Sequence, residues 1–227
     1  MPEAVLQLVG IPPQADPAIL AYSAMLGSIG ALALGGVAIA VGTAAVAGEE
    51  SARTLHLVLG AQVSRVGFAA AKAAAIVTLV AAAGLALWGM AEAAPQTIGM
   101  DVGQAKLLAL VMHLSANTLF YGTLAFGVGA ATGRTAVAGG VAAAVMVLGW
   151  LAAGLRPLWR EDAARWVPWN WFEGSQPLVN GVDAADMALL LGGSLLFLAA
   201  GMALFVRREL TVNQGGPSIM ARCVSCR

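Results

Sequence analysis

Long apolar stretches without charge, separated by short charged clusters, follow one another from Pro17 to Arg207. No charge occurs between Pro17 and Gly48, Lys72 and Glu92, Lys106 and Arg134, Arg134 and Arg156, or Asp186 and Arg207. A helix needs about 20 apolar residues to cross the hydrocarbon core, where no water is present to satisfy the backbone. The pattern therefore predicts five spans at about 22–46, 68–91, 107–131, 135–155 and 187–206, with Lys72 reaching from the second toward the head groups. The expected fold is all-α, a polytopic transmembrane helical bundle over residues 1–210 followed by a tail over 211–227.

Composition agrees with this reading. Of 227 residues, 59% are hydrophobic and only 11% charged, with a mean hydropathy of +0.82. A soluble domain carries about a quarter charged residues. The 12 Lys and Arg balance 12 Asp and Glu, which leaves no basic surface for nucleic acid. The two Cys, Cys223 and Cys226, exclude a disulfide scaffold. As half of a four-ligand zinc site they are either an inert reduced pair or a share of an intermolecular metal site.

Orientation follows from the bias of Lys and Arg toward the cytoplasm. With the N-terminus outside and the C-terminus inside, Arg53, Arg65, Lys72, Arg134, Arg207, Arg208, Arg222 and Arg227 are cytoplasmic, and most of the acids are external. The start of the chain lacks a basic segment followed by a short apolar core, so the first span is expected to direct insertion into the cell membrane. Two small-residue patterns, Gly27/Ala31/Gly35 and Gly129/Gly133, predict close helix contacts, inside one subunit or in a dimer.

Between the first two spans the sequence reads GEESARTLHLVLGAQVSR, Gly48 to Arg65. Ala52, Leu55, Val58, Leu59 and Gln62 recur at helical spacing, and Glu49 and Glu50 precede them. Acids are favoured at a helix N-terminus, so a short amphipathic helix over about 50–61 is expected at the inner membrane face. A solvated loop is the plainer reading.

Three elements resemble the permeases of ABC-2-type transporters. The first is Glu49-Glu50, then Thr54-Leu55-x-Leu57-x-Leu59, Val63-Ser64-Arg65 and Lys72. The second is WNWFEGSQPLVNG, Trp169 to Gly181, and the third is Phe205-Val-Arg-Arg-Glu-Leu210. The chain departs from the family at Arg53, usually Gly, at His56, often an acid, and at Gln62, usually Pro. Such permeases usually have six spans with both termini inside, so the resemblance implies that the first span is missing here, through a late start site or truncation.

The resemblance also implies a mechanism. No GxxxxGK[ST] phosphate loop occurs, so ATP hydrolysis is expected on a separate ATP-binding cassette subunit, without catalytic residues, cofactor or metal in this chain. That partner would dock on Glu49, Glu50, Arg53, Thr54, His56 and Arg65, with Arg65 and Lys72 pinned to lipid phosphates. A second permease subunit, identical or different, would complete the exporter.

Span three carries His113, Asn117 and Tyr121 at a spacing of four. Polar groups at membrane depth face the bundle interior, so this stripe lines a translocation path or hydrogen-bonds across helices. Trp159, Trp166, Trp169 and Trp171 form either an aromatic belt at the outer interface or a gate. Glu49-Glu50-x-x-Arg53 with His113-x-x-x-Asn117 also resembles part of the CAAX-type intramembrane metalloprotease signature, although its Phe-x-x-x-His element is absent. A membrane anchor without transport is a further alternative.

Overall fold

The computed structural model describes residues 21–52, 54, 64–98, 105–155 and 166–208. All regular structure among them is helical. Five helices are long and apolar enough to cross a bilayer, the make-up of a multi-pass membrane protein: α1 Ser23–Ser51, α2 Arg65–Ile98, α3 Leu107–Thr132, α4 Thr135–Gly154 and α7 Ala184–Arg207. Two short helices, α5 Pro168–Glu173 and α6 Pro177–Asn180, lie between α4 and α7.

Where helix ends differ from the expected spans, the cause is local. α7 begins before residue 187 because Asp183 caps it, its Oδ1 accepting from the amides of Ala185 (2.9 Å) and Asp186 (3.0 Å). α2 outruns the expected 68–91 because the charges at Lys72 and Glu92 mark the edge of the hydrocarbon and do not stop a helix. Its 34 residues make it about 51 Å long, against a core of about 30 Å. α3 ends on Gly133, whose φ of +66° suits glycine and whose amide closes on the Gly129 carbonyl at 2.8 Å. α4 starts two residues later.

The bundle is built around α3. Of its most apolar stretch 78% is buried, against 11% for α2. Small residues bring its neighbours onto it. A methyl at Gly42 in α1 would collide with the Gly122 carbonyl of α3, and one at Gly201 in α7 would lie 2.8 Å from Gly127 Cα. A methyl at Gly129 would lie 3.4 Å from Ala47 of α1 and from Ala138 of α4, while Gly35 faces Met146 of α4. Gly35 and Gly129, taken from the two small-residue patterns, thus make contacts inside this chain. Gly27 has no neighbour within 4 Å of its Cβ position.

Apolar side chains fill the bundle in two clusters. One, at the end where α3 starts, gathers Leu110, Leu114, Phe120, Tyr121, Met146, Trp169 and Phe172. The other, at the opposite end, gathers Val46, Phe68, Ile76, Phe126 and Phe205.

Backbone contact of this kind leaves no room for a side chain. Gly42→Ala is expected to lower thermal stability in detergent by about 1–3 kcal/mol, as overpacking does. Gly36→Ala, on an open face of the same helix, should melt as the parent does.

Candidate functional site

One end of the bundle concentrates charge. α1 does not stop at the predicted edge near Val46: Gly48 stays helical at φ −65° and ψ −45°, and the Ala52 amide still bonds to its carbonyl at 2.9 Å. Glu49 and Glu50 therefore close α1, where the expectation was that they open the next helix. No proline interrupts the stretch from Val46 to Ser51, and the one glycine in it, Gly48, is tolerated in helical geometry. Of the docking segment at about 50–61, residues 53 and 55–61 lie outside the described residues, Arg53 and His56 among them.

Carboxylates at a helix C-terminus oppose the macrodipole and need cations. Both have them. Lys72 Nζ donates to Glu49 Oε1 at 2.7 Å, and Thr54 Oγ1 donates to Glu49 Oε2. Arg208, just past the end of α7, pairs with Glu50. Arg65 Nη1 donates to the Arg208 carbonyl at 2.9 Å, which ties the start of α2 to the same point. The α3–α4 turn lies beneath, since a Cβ at Gly133 would press on both Glu50 and the Arg208 guanidinium. Lys72 and Arg65 are thus engaged by protein groups where lipid phosphates were expected. The side chains of Glu50 and Arg208 are each 20% exposed, so the pair is partly shielded from water.

The polar stripe occupies the other half of α3. His113, Asn117 and Tyr121 are each 0% exposed, and Tyr121 belongs to the apolar cluster at the end where α3 starts. Tyr121 lies against Gly35 and Gly149. Over it lies Trp169, ring centroids 6.4 Å apart, with Phe172 edge-on to Trp169 at 5.8 Å. The belt expected of the tryptophans fails for Trp169. It is fully buried because α5 folds back into the bundle, and its indole Nε1 donates to Glu173 Oε2 at 2.9 Å. Trp166 is 82% exposed, and Trp159 lies outside the described residues.

The structure thus brings Glu49, Glu50, Thr54 and Arg65 together at one end and His113, Asn117 and Tyr121 at the other. Gly133 adjoins Glu50 and stands 20 positions beyond His113 on α3, a rise of about 30 Å. The acids and the histidine of the metalloprotease pattern are that far apart. Sequence reasoning missed Arg208, whose only signal was the doubled arginine ending the last span, and the inward fold of Trp169. Comparison of the chain with protein-family models, with curated proteins and with solved structures gives no match.

Two measurements check this geometry. In a double-mutant cycle, Glu50→Gln and Arg208→Gln should each lower thermal stability, with a coupling of about 1–2 kcal/mol, between that of exposed pairs and of shielded charged hydrogen bonds. Additive losses would show that the pair contributes nothing. Trp169→Ala should lose about 3–5 kcal/mol, as a truncated core tryptophan does, whereas Trp166→Ala should unfold at the parent temperature.

Proposed function

We propose that this chain is the permease subunit of an ABC-2-type exporter, working with a separate ATP-binding subunit and a second permease subunit in the cell membrane. In this reading the charged end is cytoplasmic, as the distribution of Lys and Arg favours, with the C-terminus inside. The N-terminal side of α1 is extracytoplasmic.

The observation that carries the reading is the linkage around Glu49, Glu50, Arg65, Lys72 and Arg208. In the sequence these residues belong to two separate elements resembling the family, the segment after the first span and the basic close of the last. In space they form one junction joining α1, α2 and α7. A push on the segment between α1 and α2 is delivered to all three helices at once, as coupling to a nucleotide-driven partner requires. Glu49 and Glu50 then act as positioning residues that hold the lever, leaving docking to the residues that follow them. The substrate class stays open, because one fold serves many cargoes.

Co-purification from the native host in mild detergent tests this. An ATP-binding subunit should come down with the intact chain, be lost when Glu49, Glu50 and Arg65 are changed to Ala, and be retained with Glu49→Asp, Glu50→Asp and Arg65→Lys. Matched gel-filtration profiles keep misfolding apart from lost docking. Failure of any ATP-binding subunit to accompany the intact chain would overturn the proposal and leave a membrane anchor as the better description.

A further inference from the structure

The stripe on α3 does not do what structural glue does. Polar side chains that hold a membrane bundle together hydrogen-bond from helix to helix. Here His113 Nε2, both amide atoms of Asn117 and the Tyr121 hydroxyl have no hydrogen-bond partner among the described residues. The one bond the stripe makes is to its own helix, His113 Nδ1 with the Ala109 carbonyl at 3.1 Å. With Nδ1 given to that carbonyl, Nε2 is the ring nitrogen left to meet a partner, as an acceptor in the neutral imidazole and a donor in the cation. Each such buried atom costs about 1–3 kcal/mol if left unmatched, so the groups point to a partner beyond the described residues.

The arrangement suits water. Residues four apart on a helix have Cβ atoms about 5–6 Å apart, so the three side chains leave α3 from neighbouring positions. A ring nitrogen, an amide offering both functions and a hydroxyl supply the two to four partners that a buried water needs. A further unpartnered hydroxyl, that of Ser28, lies at the same level: it stands seven residues before Gly35, as Leu114 stands seven before Tyr121, which Gly35 touches. α1 runs there in wide turns over Ser23–Gly30, a helical distortion frequent at functional sites.

We propose that His113, Asn117 and Tyr121 build an internal hydration site, holding water between α3 and its neighbours beneath Trp169. This goes beyond the permease reading and does not rest on it. The water of this site is what an entering polar group would displace.

X-ray radiolysis of the full chain in detergent makes hydroxyl radicals from bound and bulk water alike, and mass spectrometry reads the oxidation residue by residue. Tyr121 and His113 should be oxidised although buried, whereas Phe126, equally buried in the other apolar cluster, should not. The double variant Asn117→Leu/Tyr121→Phe should lose the oxidation of His113. If neither Tyr121 nor His113 is oxidised, or if Phe126 is oxidised as fast as they are, the site does not exist. Oxidation of His113 retained in a double variant that elutes as the parent overturns it as well. Should that variant fail to fold, the contrast of Tyr121 with Phe126 in the parent decides alone.

Discussion

Between helices in a bilayer there is no water to expel, so association rests on short-range contact, and contact requires small residues where backbones meet. α3 is the helix on which that constraint converges. Gly122, Gly127 and Gly129 expose its backbone to α1, α4 and α7, and Gly42 and Gly201 let the partners reach it. A helix gripped on several sides has most of its surface covered. What it carries at mid-length is therefore buried whether or not it is apolar, and this explains how an imidazole, a carboxamide and a phenol come to lie in the interior.

The two ends of the bundle solve opposite electrostatic problems. At the charged end, α1 finishes on two acids where its dipole disfavours them, and cations from α2 and α7 answer. The pairing does more than neutralise, because Arg208 receives Glu50 through its side chain and Arg65 through its carbonyl, so one residue joins three helices. Toward the other end α3 carries His113, Asn117 and Tyr121, all fully buried, and Trp169 of α5 lies over Tyr121. Gln176, at φ +49°, turns the chain from α5 into α6, and Pro168 and Pro177 open the two short helices.

Much of the architecture was legible because a charge in hydrocarbon is expensive and a gap between charges is easily measured. The spans read in this way coincide with the cores of α1, α2, α3, α4 and α7, and the departures at their ends come from the Asp183 cap and from helices that continue past the bilayer edge. The candidate site was legible only in pieces. Spacing by four placed His113, Asn117 and Tyr121 on one face, and the run around Glu49 marked itself by its acids. Spacing carries no information on whether such groups find partners.

The sequence by itself determined which segments are helices in a membrane, since that rests on local apolar length and backbone saturation. Tertiary structure decided the rest, because it depends on residues far apart in the chain. Glu50 and Arg208, 158 positions apart, meet only when α1 and α7 pack on the same helix. Trp169, read along the chain as an interfacial residue, becomes core because α5 turns inward against Tyr121. Glu49 and Glu50 read as the start of a helix or as its end according to where α1 stops, and with no proline in that stretch the cations waiting at the bundle end supply the compensation that lets the helix run on past Gly48.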